Sequence, residues 1–193
     1  MDIVNKSFFQ NLLIQELLSV QIEISNEFSK KCLVVLLDHV VDKVSNGFSF
    51  KVAGGHYLYG KAKSERPGRV ISKNEAVVIE PRVHLNVVKT SKTQRVLLKE
   101  SVLHLSSKLG VTDVFSRIVM RVFYQCFEMV LTGKSIIAFR GFGYVKPVRY
   151  KSKKCYIPSM KGFVDLPERN SVLFSASDVF RFKCESTEYF GLA

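Results

Sequence analysis

Basic side chains in this sequence gather into two stretches. Between Arg140 and Lys161 stand seven Lys or Arg residues, Arg140, Lys146, Arg149, Lys151, Lys153, Lys154 and Lys161, with no Asp or Glu among them. An earlier stretch carries Lys61, Lys63, Arg66 and Arg69. The chemistry open to such runs is electrostatic: an uncompensated row of cations either stays solvated or faces an acidic partner, and at alternate strand positions it can follow the phosphates of a duplex. A solvated edge strand is the competing explanation, because edge lysines block pairing between molecules. Groupings that would do covalent chemistry are missing. His39, His56, His84 and His104 are scattered without HxxxH or HExxH spacing and read as structural or surface residues. There is no Ser-His-Asp set, paired-carboxylate motif or GxxxxGK[ST] loop, and Gly141-Phe142-Gly143 is better read as a strand turn than as a nucleotide fingerprint. Cys32, Cys126, Cys155 and Cys184 lie far apart, without metal-knuckle spacing, and read as free thiols. The expectation is a non-enzymatic protein with no metal and no cofactor.

Composition narrows the partner. The chain has 193 residues, 47% hydrophobic content and a formal charge of +12, enough apolar material for packed cores and a strong bias toward nucleic acid, an acidic membrane surface or an acidic protein. Charge is uneven: residues 1–90 hold 12 basic and 9 acidic side chains, residues 91–193 hold 17 and 8. The second half should therefore contribute more to any phosphate contact. The opening Met1-Asp2-Ile3-Val4-Asn5 lacks the basic and apolar regions of a signal peptide, and the longest purely apolar run, Cys32 to Leu37, is too short to span a bilayer. A reducing cytoplasm is the expected setting.

The elements that would position the basic residues can be read in order. Phe8, Phe9, Leu12, Leu13, Leu17 and Leu18 recur at helical spacing between Ser7 and Val20. Ser25 or Asn26 caps a second helix that turns Phe28, Cys32, Val35, Leu36, Val40 and Val44 inward and stops at Ser45-Asn46-Gly47. Phe48 to Val52 reads as a strand and Tyr57 to Ile79 as a hairpin arm ended by Pro81. A helix from about Lys92 to Lys108, capped by Thr90-Ser91-Lys92-Thr93, comes next. Thr112 caps another, with a Phe115, Ile118, Val119, Val122, Phe123, Cys126, Phe127, Val130 stripe. Ser135 to Phe139 is a strand, Tyr144 to Met160 and Gly162 to Leu166 form a second arm with Pro158 near its tip, and SASDVFRF reads as a short closing helix before a tail from Glu185. The punctuation repeats: Ser25 to Thr112, Gly54 to Gly141 and Arg66 to Lys153 are each 87 positions apart, and Gly47 to Gly133 is 86, the mark of a duplicated unit.

The order of gly-x-gly turn, two-stranded arm with a proline near its tip, then Arg169, Asn170 and Phe174, resembles the HU and integration host factor family of DNA-bending proteins. The resemblance runs from Gly141 to Asp178 without a gap. It returns in the first half, where Glu65-Arg66-Pro67-Gly68-Arg69 is similar to the arm motif of integration host factor. There the turn is Gly54-Gly55-His56, the tip proline gives way to Ile71 after Val70, and Arg82 opens the next element one residue early. The resemblance implies an α+β fold of two HU-like units in tandem, 1–90 and 91–193, each with a helical base, a small antiparallel sheet and an extended arm. It implies architectural, low-specificity binding and bending of double-stranded DNA. Lys61, Lys63, Arg66, Arg69, Arg82, Arg149, Lys151, Lys153, Lys154, Arg169 and Asn170 would contact DNA, with Ile71 and Pro158 as arm-tip wedges. Such a protein would work in the cytoplasm or nucleoid.

The same fold could instead serve as a structural component of a phage particle, in a ring, connector or tail, through contacts with other virion proteins. The two units could form a pseudo-dimer within one chain or pair with other copies, and the residues leave that choice open. A straight helix of 17 residues between the units would span roughly 25 Å and hamper intramolecular pairing.

Overall fold

Local caps set the helix starts. In a computed structural model, which describes residues 2–70, 75–89, 93–133, 135–160 and 162–190, α1 (Lys6–Leu18) begins after Asn5, whose side-chain oxygen accepts from the Phe8 N–H. Ser25 does the same for α2 (Asn26–Ser45) through the Phe28 N–H. After α3 (Leu98–Leu109), Gly110 takes a left-handed φ of 68°, and Thr112 then caps α4 (Asp113–Leu131) through the Phe115 N–H. Ser177 caps α5 (Asp178–Glu185).

Strands follow the same spacing in both halves. Strand β1 (Asp2–Val4) opens the chain, and β2 (Phe50–Ala53), β3 (His56–Lys63), β4 (Arg66–Val70), β5 (Glu75–Ile79) and β6 (Arg82–Val88) complete the first half. The second half holds β7 (Ser135–Phe139), β8 (Gly143–Tyr150), β9 (Lys153–Ile157), β10 (Gly162–Leu166) and β11 (Arg169–Ala176). Strands β3, β4, β5 and β6 start 87 positions before β8, β9, β10 and β11. Arg82 and Arg169 thus open equivalent strands, so the one-residue displacement expected at Arg82 is not a displacement within this chain.

Strands β2, β3 and β6 make one antiparallel sheet, and β1, β7, β8 and β11 make another in which β1 joins β7 in parallel. Strands β4 and β5, and likewise β9 and β10, form separate two-stranded antiparallel ladders, in the stretches expected as arms. Helix α1 packs on α2 and α4, α3 packs on α2 and α4, and β6 lies against β11. One continuous core results. Phe50 of β2 meets Phe123 of α4 edge-on at 6.3 Å, and Phe9 of α1 meets Phe139 of β7 at 6.4 Å, so each half supplies aromatic rings to the other.

Three expectations change. The helix expected from Lys92 starts at Leu98, without a side-chain cap; Thr90, Ser91 and Lys92 lie outside the described residues. Residues 94–96 are extended, with the Ser49 N–H donating to Gln94 and the Val96 N–H to Ser49, because a backbone partner on the sheet outcompetes one more helical turn. The remaining 12-residue helix is about 18 Å long, which removes the steric objection to packing the halves together. The segment after Glu185 is no free tail: Phe190 is buried, and the Thr187 hydroxyl donates to the Ser45 carbonyl at 2.9 Å. The strand expected to open at Phe48 begins at Phe50 as β2.

Candidate nucleic-acid interface

Register sorts the basic residues by face. In the β3–β6 ladder Leu58, Gly60 and Ala62 pair with Val87, Leu85 and Val83; on this face Leu58, Val83 and Leu85 are buried in the core and Val87 packs against it. The alternate positions face away from it, and there Lys61 stands opposite His84 and Lys63 opposite Arg82. No carboxylate is paired into this ladder. Desolvation, then the Lys63 and Arg82 charges, holds the His84 imidazole below its usual range. Like charges set directly across a ladder repel. In the β4–β5 ladder Arg66 stands opposite Ile79, and Arg69 holds the register position opposite Ala76, three residues on and so of the other parity. Ile71, the expected wedge, lies outside the described residues.

The second half is organised differently. Arg169 pairs with Tyr150 across β8–β11, its guanidinium 5.2 Å from the ring centroid, and Lys146 lies 5.9 Å from the Tyr144 ring. These four residues share the face turned away from the core. Arg149 and Asn170 pair on the opposite face, the one that buries Val145 and Phe174, and Arg149 donates to the Glu168 carboxylate. In the arm Lys153 pairs with Leu166 and Lys154 with Asp165. Lys151 sits exposed in the break between β8 and β9. The acid-free count from Arg140 to Lys161 therefore overstates this arm's net charge, since the return strand brings Asp165 and Glu168 alongside. Lys161 lies outside the described residues. Pro158 opens a single 3₁₀ turn, Pro158–Met160, at the arm's end. Tyr156 and Phe163 pair across the arm with ring centroids 5.4 Å apart, 55% and 75% exposed.

Among the described residues, two hollows lie where the halves meet. The larger, about 760 Å³, is lined by His56, the Val87–Lys89 end of β6, the Leu131–Gly133 end of α4 and the base of the second arm, including Pro147, Arg149, Tyr150, Arg169 and Asn170. The smaller, about 230 Å³, is lined by Arg82–Leu85, Phe174–Ala176, Arg181 and Glu185. Arg149, Arg169 and Asn170 thus come together at one arm base and Arg82 stands at the other. Lys89, His84 and Tyr150 were missed from sequence, and Lys146 was counted in the basic run without being placed at a site. Counting two along the strand from Arg82 would have found His84; Lys89 needs the packing of β6 on β11.

Other titratable groups lie in the core. His39 is buried, stacks on His104 with ring centroids 4.2 Å apart, and shares a hydrogen bond with the Ser101 hydroxyl at 3.2 Å. Desolvation, then the neighbouring His104 and Lys43, brings its pKa down to about 4. Burial pushes the thiols of Cys32, Cys126 and Cys184 up to about 12. Among the described residues no three His, Cys, Asp or Glu side chains converge on a point that could hold a metal ion. No helix among them is long and apolar enough to cross a membrane.

No known protein family's profile matches the chain, and no curated protein matches it. Among solved structures, it is similar to an HU–DNA cocrystal structure from Anabaena, with 22% identity over 45% of this chain and 94% of that one, at a TM-score of 0.36.

Proposed function

We propose that this chain is a non-enzymatic protein that binds and bends double-stranded DNA with little sequence preference, built as two HU-like units in tandem, 1–90 and 91–193, that fold on each other as an intramolecular pseudo-dimer. The observation that carries this reading is the outward face of the β3–β6 ladder, where Lys61, Lys63 and Arg82 stand together beside His84 with no acid in the ladder. Such a cluster opposes folding and is relieved when phosphates are placed over it. Lys146, Arg169 and the arm lysines Lys151 and Lys153 extend the same potential across the other half. Contacts along both arms would offset a bending cost on the order of a few kcal/mol. The expected setting is the cytoplasm or nucleoid.

The test is affinity for a random-sequence duplex across a salt series, with a dye pair at the duplex ends to read bending. A steep fall of affinity with salt and a shortened end-to-end distance support the proposal. Absence of binding at moderate salt refutes it. A second reading, a structural component of a phage particle, is favoured by the exposed apolar surface of the second arm, where Met160 is 67% exposed next to the Tyr156–Phe163 pair. In that case the chain would form a large defined oligomer or bind other virion proteins.

A further inference from the structure

The repeat gives residues of the second half a counterpart 87 positions earlier, and at three register-matched places the side chains differ in kind. Lys63 pairs with Arg82 across β3–β6, and in the same place across β8–β11 Tyr150 pairs with Arg169. Arg69 pairs with Ala76 across β4–β5, and in the same place across β9–β10 Tyr156 pairs with Phe163. Where the first half has lysine, arginine and alanine, the second has three aromatic rings.

These rings lie on the surface. Tyr150, Tyr156 and Phe163 are exposed, and Tyr144 with them, whereas every Phe and Tyr of residues 1–90 is buried or half-buried. A group of large rings left in water marks a surface that a ligand covers. The surrounding charge selects that ligand. The Arg169 guanidinium lies against Tyr150, Lys146 lies near the Tyr144 ring, and Lys154 shares the strand face of Tyr156 two positions away, with Asp165 across from it. From Arg140 to Ala176 there are eight Lys or Arg and two acids. A protein laid over the rings would strip water from these cations, whereas a nucleic-acid strand brings a flat base for each ring and a phosphate for each charge. Bases inside a duplex are stacked on one another, so the rings call for unpaired bases.

We propose that the exposed rings of β8–β11 and β9–β10 bind an unpaired nucleic-acid strand, its bases stacking on Tyr150, Tyr156 and Phe163 and its phosphates meeting Lys146, Lys154 and Arg169. Tyr150 and Tyr156 are six residues apart in the chain, at most about 22 Å, so one short strand reaches both. The Arg169 guanidinium adds a second flat surface of the kind on which unstacked bases lie. The halves then differ in chemistry: the first holds phosphates and the second holds bases. The site goes beyond the duplex reading and needs no paired ligand.

The probes are a fluorescent thymidine oligonucleotide of about 12 nucleotides and an abasic strand of the same length, each titrated into the intact chain and followed by anisotropy. Binding of the thymidine strand is expected, with the abasic strand weaker by about tenfold or more. Tyr150→Ala, Tyr156→Ala and Phe163→Ala together should remove that difference. Tyr150→Lys with Tyr156→Arg, the residues that the first half accepts in the same register, should also remove it while keeping affinity for the abasic strand, which separates loss of stacking from loss of folding. A uridine strand of equal length, whichever way it compares, identifies whether ribose or deoxyribose is preferred. Equal binding of the thymidine and abasic strands to the natural chain, or binding of neither, overturns the proposal. So does full base dependence in the triple alanine chain, or a concentration-dependent oligomer that this chain no longer forms, since protein would then cover the rings. Duplex affinity is read by its own salt series, so either proposal can fail alone.

Discussion

Replacing Lys61, Lys63 and Arg82 together with alanine should weaken DNA binding while leaving the fold at least as stable. Lys63 and Arg82 are direct partners across β3–β6, and Lys61 follows on the same face opposite His84. Direct like-charge pairs on a ladder destabilise by about 0.2–1 kcal/mol, so removing this one returns a similar amount. For a chain of 193 residues that is a rise in Tm of about 0.4–4 °C. If each of the three cations neutralises one phosphate, the slope of log affinity against log salt should flatten by about 2.7. Two assays read the two effects: calorimetry at fixed salt for Tm, and duplex titration at four or five salt concentrations for the slope. A structural role predicts the opposite pattern. If Tm falls by more than about 5 °C while the slope stays unchanged, the cluster holds the ladder together and the electrostatic argument is wrong.

Three further outcomes follow from the core. Because folding lowers the His39 pKa from 6.5 to about 4, the unfolded chain takes up the proton first. Stability should be complete above about pH 6.5, fall by on the order of 3 kcal/mol as pH drops, and level off below about pH 4, as measured by denaturant unfolding across that range. His104, also held below its usual range by burial and then Lys108, adds in the same direction. Phe123→Ala should cost about 3–5 kcal/mol and shift one cooperative calorimetric transition for the whole chain, because this fully buried ring touches Phe50 from the other half; two separate transitions would contradict the shared core. Gly143 has a φ of 132°, and a Cβ there would meet the Ser175 carbonyl oxygen at 2.3 Å. Gly143→Ala should therefore loosen the end of the β8–β11 ladder at a cost of about 1–3 kcal/mol, seen as faster amide exchange in β11.

Much of the architecture is legible in the residues because it is decided locally. Ser25 and Thr112 cap helices through the N–H three positions on, Gly47, Gly54, Gly133 and Gly141 take positive φ where the chain turns, and the helical stripes of α2 and α4 face the core, with only Phe28 and Val35 of α2 half-buried. These interactions span a few residues, so linear spacing is sufficient to reveal them. The basic runs are equally visible, and so are the 87-residue offsets.

Tertiary structure decided the rest, since each remaining feature joins residues distant in sequence. Strand β1 is three residues long and acquires its identity only from β7, more than a hundred positions away. The start of α3 is set by Ser49, which claims the backbone of residues 94–96. Which lysines remain uncompensated depends on the hairpin return that carries Asp165 to Lys154 and Glu168 to Arg149. The closing segment is seated by two glycines at positions 47 and 60, and nothing near Tyr189 or Phe190 in the chain announces them. Residue spacing determined the elements and their charge; the packing of one half on the other determined which charges face outward and which hollow stays open, because burial and pairing belong to surfaces that exist only once the halves meet.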